Sequence, residues 1–223
     1  MSPDETLYST WELETSNMYF IYNTVKNTRE QVNFLYRFNM QNEAFAVSSG
    51  VLYTYDDGAS VPIINIADYE SIATTITSFA FDKSGNYLIL GWYRASKSYG
   101  MCLLERSGSG WILKKSFANT VAYNYLHISP DISRIYATRV IADPPTTTTT
   151  VFDINTGEEI TAPLSGYVLN SDQDDMIVYA DNCHYLYYPT TDESKKLFLK
   201  DTYEYKDELY DIFGKKLDKL KMV

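Results

Sequence analysis

One turn–strand pattern recurs five times at spacings near forty residues, tyrosine is abundant, and hairpin turn residues punctuate the chain. Together these predict an all-β, repeat-built fold of the β-propeller type. The five turns are Met1-Ser2-Pro3-Asp4, Phe38-Asn39-Met40-Gln41, Phe81-Asp82-Lys83-Ser84, Ile128-Ser129-Pro130-Asp131 and Leu169-Asn170-Ser171-Asp172. Their fourth residues, 4, 41, 84, 131 and 172, stand 37, 43, 47 and 41 positions apart. Tyrosine supplies 21 of 223 residues, against 10 Phe and 3 Trp. Its flat ring suits a pleated surface while its hydroxyl stays wet.

Each turn leads into a strand: residues 7–11, 44–47, 87–92, 134–137 and 176–180. Ser-Pro-Asp and Asp-Lys-Ser-Gly suit tight turns, because Pro presets φ, Asp bonds the backbone and Gly tolerates positive φ. A second strand follows at 18–22, 51–55, 100–104, 149–153 and 185–188. Asp56-Asp57-Gly58, Ser107-Gly108-Ser109-Gly110 and Asn155-Thr156-Gly157 then open third strands at 61–64, 111–113 and 158–160. Residues 141–150 contain Pro144-Pro145 and a threonine run. They predict a long hairpin tip, with Pro blocking regular pairing and Thr entering the next strand.

The stretches 81–91, 128–137 and 151–160 resemble the loop–strand and Asp-x-x-Thr/Asn-Gly hairpins of the WD40-like and YVTN-like propeller superfamily. The resemblance covers residues 1 to 200 and implies architecture without a particular function. No Gly-His pair precedes the strands and no Trp-Asp dipeptide ends them, so a degenerate propeller is expected. The other fold reading is a β-sandwich with irregular hairpins. Five units allow a complete five-bladed ring, part of a larger ring, or a miscounted degenerate unit. The missing leading strand favours an incomplete piece, or closure by a C-terminal strand such as Leu197-Phe198-Leu199.

Residues 201–223 form a second region with helical spacing. Leu209, Phe213, Leu217 and Leu220 recur at intervals of 4, 4 and 3. Asp201 and Glu204 fit a capping box, and lysines crowd the end, as the helix dipole favours. A C-terminal amphipathic helix is expected, packed on the propeller or docking a partner through those four residues.

The formal charge is −10, which opposes nucleic acid and anionic lipid. No apolar run approaches the length of a membrane span. Two cysteines make no disulfide framework, no glycosylation sequon occurs, and Met1–Glu5 is unlike a signal peptide. A cytoplasmic location follows as an expectation. Cys102, inside Met101-Cys102-Leu103-Leu104, reads as a buried small hydrophobe.

Catalytic signals are sparse. His127 and His184 are the two histidines, and the adjacent Cys183-His184 would point to opposite faces of a strand. The twelfth residue from Asp153 is Leu164, not the glutamate of an EF-hand. Asp4, Asp82, Asp131 and Asp172 recur as turn formers. No phosphate loop, nucleophile elbow or dinucleotide fingerprint is present. The expectation is a non-enzymatic protein–protein interaction or assembly scaffold without cofactor, a subunit of a larger complex, and an obligate one if the ring is incomplete. The alternative is a carbohydrate- or small-ligand-binding ring, lectin-like or glycoside-hydrolase-like, with Trp11, Trp92 and Trp111 as stacking platforms.

Overall fold

The structure is a computed structural model that describes residues 2, 4–12, 18–56, 58–94, 98–119, 121–142, 145–160, 167–170, 176–180, 183–188, 191, 193–197, 202–205 and 208–211. The first sheet has three strands, β1 (Leu7–Glu12), β2 (Met18–Asn23) and β3 (Thr28–Val32). The second comprises β4 (Arg37–Phe38), β5 (Ala44–Ser48), β6 (Val51–Asp56) and β7 (Ala59–Asn65). The third comprises β8 (Thr75–Phe81), β9 (Tyr87–Arg94), β10 (Ser98–Ser107) and β11 (Gly110–Asn119). The fourth holds β12 (Tyr125–Ile128), β13 (Arg134–Ala142), β14 (Pro145–Asp153) and β15 (Glu159–Ile160). The fifth holds β16 (Tyr167–Asn170), β17 (Met176–Ala180), β18 (Cys183–Tyr188) and β19 (Glu193–Leu197). Every pairing is antiparallel and joins strands consecutive in sequence, so each sheet is an up-and-down meander. The fold is all-β and propeller-like, not a two-sheet sandwich.

The repeating turn builds these sheets. The hydrogen-bonded turn starts one residue later than the sequence motif, at Ser2, Asn39, Asp82 or Ser129, and all four are buried. In each copy the backbone N–H of that residue donates to the start of the following strand: Ser2 to Leu7 O (2.7 Å), Asn39 to Glu43 O (3.1 Å), Asp82 to Tyr87 O (3.0 Å) and Ser129 to Arg134 O (2.9 Å). Its side chain accepts the return bond, from the N–H of Leu7, Glu43, Tyr87 and Arg134 in turn. The fourth residue is left-handed every time: Glu5, Asn42, Gly85 and Ile132, with φ of 58°, 63°, 72° and 57°. A buried polar group is tolerable when fully hydrogen-bonded, which explains why Ser, Asn and Asp interchange here. The register of the first four sequence repeats is therefore physical. Of the fifth turn, Leu169 and Asn170 end β16, and Ser171 and Asp172 lie outside the described residues. Since Ser2 heads the turn before β1, β1 corresponds to the second strand of the other sheets, and it is an edge of its own sheet.

The core lies between sheets. On β5, Ala44 and Ala46 face the first sheet, with Ile21 and Val32, while Phe45 faces the third. On β9 and β10, Leu88, Leu90, Trp92, Cys102 and Leu104 pack toward Leu52 and Ile64 of the second sheet and Ile66 just after it. The intervening Ile89, Met101 and Leu103 pack toward Leu126, Ile128, Ile135 and Phe152 of the fourth. Alternation along a strand thus feeds two cores, which is why Leu88-Ile89-Leu90 and Met101-Cys102-Leu103-Leu104 are unbroken apolar runs. Each fully buried leucine contributes about 1.5–3 kcal/mol.

Polar ties run between neighbouring sheets. Asp4 N donates to Asn42 Oδ1 at 3.0 Å and Gln41 Nε2 to Lys83 O at 2.9 Å. Arg106 of the third sheet pairs with Glu43 of the second at 2.9 Å, and Glu43 also accepts from Asn39 Nδ2. Lys115 donates to Asn155 O across the third and fourth sheets.

Two expectations are corrected. Residues 202–205 and 208–211 form a β-hairpin, β20 (Thr202–Tyr205) with β21 (Glu208–Asp211), instead of the front of a helix. Tyr203, Tyr205 and Tyr210 are strand formers within the paired stretches, where they outweigh the 4-4-3 apolar spacing. The rest of the expected helix, 212–223, lies outside the described residues. The long tip at 141–150 is also shorter than expected. β13 and β14 pair out to Ala142 opposite Pro145. Proline is admissible there as the first residue of its strand. Among the described residues the helical element is a 3₁₀ turn, Ile66–Asp68, and no helix is long and apolar enough to cross a membrane.

Candidate interaction surface

The meander gives each sheet two ends. One end carries the polar turns between first and second strands and the turns between third and fourth. The other carries the second-to-third hairpins and the connections from sheet to sheet. At this connection rim stand the exposed Leu35, Ile72, Tyr93, Tyr125 and Val140. Val25 and Met40 are the exposed large apolar residues at the turn rim, and Val61, Ile112 and Leu113 lie along outer strands.

The connection rim is densest where the third sheet meets the fourth. Residues two apart share a face, so Ile89 and Met101, which point at the fourth sheet, carry Tyr93 and Tyr99 with them toward the rim. Those two tyrosines are directly paired, with ring centroids 6.5 Å apart and planes at 35°. From the fourth sheet, Ile135 and Ala137 point back, and Arg139 continues their face. Tyr123 lies buried below, in the connection leading to β12. Burial raises the Tyr123 phenol, and the nearby Arg139 charge opposes that rise. Ser78 Oγ donates to Tyr123 O at 3.1 Å, holding the connection against the third sheet. Asn124 Oδ1 accepts the Val140 N–H at 2.8 Å, so β13 is supported beyond the short β12. Gly91 admits this approach, because a Cβ there would lie 2.7 Å from Ser78 Oγ and 3.3 Å from Leu126 Cδ1. Ion pairs among the described residues include Arg106 with Glu43 and Lys114 with Glu105.

Innermost strands converge nearby. Arg37 of β4 sits 5.9 Å from the Phe79 ring of β8. His127 of β12 is pushed down to about 4, chiefly by burial and secondly by the Arg37 charge.

The turn rim holds two clefts. One, of about 290 Å³, is lined by Leu7, Ile21, Lys26, Glu30 and Tyr55. The other, of about 400 Å³, lies between the third and fourth sheets against Leu103, Lys114, Lys115, Ile132 and Ile154. Its cations are engaged: Lys114 pairs with Glu105 at 2.9 Å and Lys115 with Asn155 O. Glu105 is held below the usual carboxylate range by Lys114 and then Tyr87.

The predicted residues fall apart. Leu209 lies in β21, opposite Glu204, while Phe213, Leu217 and Leu220 lie outside the described residues. Trp92 is buried against Gly100 and Trp111 packs at the core edge under Arg106, so neither is presented as a stacking platform. Cys102 is a buried free thiol whose pKa is raised by burial, then by Glu70. It faces the second sheet, whereas His127 lies on the face of β12 opposite Leu126 and Ile128, so the two do not meet. Asp4 and Asp131 are engaged by serines and threonines of their own turns. Sequence reading missed Tyr93, Tyr99 and Arg139. Their signal was the continuation of a core-facing alternation past the last apolar residue.

No family model and no curated protein matches the chain. Among solved structures, the fold is similar to Kuenenia stuttgartiensis hydrazine synthase, with TM-score 0.54 and 10% identity over 90% of this chain. This chain spans 65% of that one's length. A functionally unknown protein from Desulfotomaculum acetoxidans gives TM-score 0.49 at 14% identity, over 98% of this chain and 69% of the other. TolB from Acinetobacter baumannii gives 0.44 at 12%, over 96% and 51%. Identities this low speak to fold alone.

Proposed function

We propose that this chain is a non-catalytic protein-interaction module, a scaffold or subunit of a larger assembly, working through its connection rim. The observation that carries this is the gathering of Leu35, Ile72, Tyr93, Tyr125 and Val140 at one end of the sheets. Exposed apolar side chains concentrated at one end of the sheets suit a contact surface. Tyrosine and arginine are the side chains that protein interfaces favour. We assign the chain to the WD40-like and YVTN-like propellers, supported by the bond-for-bond recurrence of the turn, and to the cytoplasm, supported by its low cysteine content. A sugar-binding use finds less support, with Trp92 buried.

Photo-crosslinking tests the reading. A photoreactive phenylalanine replacing Tyr125 should capture a discrete protein in cells, and one replacing Ile112 on the outer edge should not. Capture from position 112 alone would overturn the assignment of the rim.

A further inference from the structure

We propose that the cleft at the turn rim between the third and fourth sheets binds a small amphipathic carboxylate, with its head group on Lys114 and Lys115 and its apolar part against Leu103, Ile132 and Ile154. This goes beyond the connection-rim reading and concerns the opposite end of the sheets.

The cleft holds about 400 Å³, within the range of small-ligand sites. Its lining is divided. Leu103 is buried, and Ile132 and Ile154 pack onto the same core. Tyr87, Lys114, Lys115 and Asn155 complete the wall. Ile132 is the informative residue. In the second copy of the turn, Asn42 holds the same left-handed position and accepts the Asp4 N–H at 3.0 Å. In the third copy, Gly85 leaves room for Gln41, whose Nε2 donates to Lys83 O at 2.9 Å. These contacts stitch turn to turn across the first two seams. The third seam has a β-branched side chain at φ 57°, a strained choice that brings no hydrogen-bonding group. What Ile132 supplies is an apolar wall to the cleft.

The lysines are held without being saturated. Lys114 pairs with Glu105 at 2.9 Å, and Lys115 donates to Asn155 O. Gly157 makes room for the Lys115 stem, since a Cβ there would lie 2.5 Å from Lys115 Cε. An ammonium carries three donors, so each lysine keeps capacity for a ligand. The nearby carboxylates are engaged by their own sheets. Glu105 also accepts the Tyr87 hydroxyl at 3.0 Å, and Asp153 accepts the Thr156 N–H at 2.8 Å. Two ammonium groups above an apolar floor match an anionic oxygen group that carries a hydrocarbon part.

The probe is octanoate, titrated into the full chain by isothermal calorimetry, with octanol and octylammonium as controls. Octanoate should bind about tenfold tighter than octanol, because its head group is charged. Lys114→Gln and Lys115→Gln should each weaken octanoate and leave octanol unchanged. Ile132→Asn should weaken octanoate and octanol alike, and it keeps the backbone, since Asn42 occupies this position in the second copy. Ile154→Ala should act in the same direction should Ile132→Asn fail to fold. Equal binding of octanoate and octanol, preference for octylammonium, octanoate binding indifferent to the Ile132 and Ile154 changes, or no binding at all would each overturn the site. None of these touches the connection rim, which stands or falls on the Tyr125 crosslink.

Discussion

Glu5 and Ile132 hold φ of 58° and 57° at the same position in two copies of one turn. Left-handed backbone suits Gly or Asn and strains a β-branched residue. Gly85 and Asn42 fill the other two copies. Glu5 is exposed, whereas Ile132 packs onto the core between the third and fourth sheets. Glu5→Gly should therefore stabilise the protein by about 0.5–1 kcal/mol. Ile132→Gly should destabilise it, because lost burial of about 1–2 kcal/mol outweighs the relieved strain. Differential scanning calorimetry of both variants checks the pair, and opposite shifts in Tm are the expected result.

The turn's first residue is interchangeable within limits. Ser129 Oγ accepts from the backbone N–H of Arg134 and Ser133, at 2.9 and 3.1 Å. Ser129→Ala removes the acceptor of the Arg134 N–H and should cost about 1–3 kcal/mol. Ser129→Asn should cost less, since Asn39 performs the same role in the second copy. Urea unfolding that ranks Asn below Ala would refute the equivalence of the turns.

Gly100 admits the Trp92 ring. A Cβ at this position would overlap the indole and lie 2.9 Å from Phe117 O. Gly100→Ala should cost about 1–3 kcal/mol through overpacking. Adding Trp92→Phe should recover part of that loss, which a double-mutant cycle would reveal as coupling. Simple additivity would show that the clash is absorbed elsewhere.

Acid should destabilise the fold before the carboxylates titrate. His127 has a folded pKa near 4, against about 6.5 unfolded. Between those values the unfolded chain takes up a proton that the folded chain refuses, so stability falls as pH drops from 6.5 to 4. The loss is on the order of 3 kcal/mol. His127→Gln should flatten the slope in that window when unfolding is followed at pH 7, 5.5 and 4. Below about pH 4 a second decline is expected from Asp4, held low first by Ser2, and from Asp153, held low first by the Thr156 N–H.

The turn repeat was legible because its chemistry is local. Ser2, Asn39, Asp82 and Ser129 each bond within six residues of chain, so spacing alone located them. The hairpins at Gly58, Gly108 and Gly157 were legible for the same reason: positive φ demands glycine. The innermost strands were hidden. Arg37-Phe38 and Tyr125–Ile128 are too short for a pattern and are held by neighbouring sheets. The rim surface was equally hidden, since which end of the sheets Tyr93 and Tyr125 occupy depends on strand pairings that the local sequence does not show. At the C-terminus the 4-4-3 spacing of Leu209, Phe213, Leu217 and Leu220 is a weak local signal, and strand pairing overrode it at 202–205 and 208–211.

Because the apolar clusters lie between sheets instead of within them, the second and third sheets are each half of two cores and complete in neither. A defect in the third sheet weakens its seams with the second and fourth and leaves the first untouched. Unfolding should then proceed from whichever seam is thinnest, as a zipper opens, and not as a single event. The same arithmetic bears on ancestry: duplicating one unit's coding segment adds a sheet and a seam together, so such a chain can lengthen by whole units without ever passing through a form lacking a core.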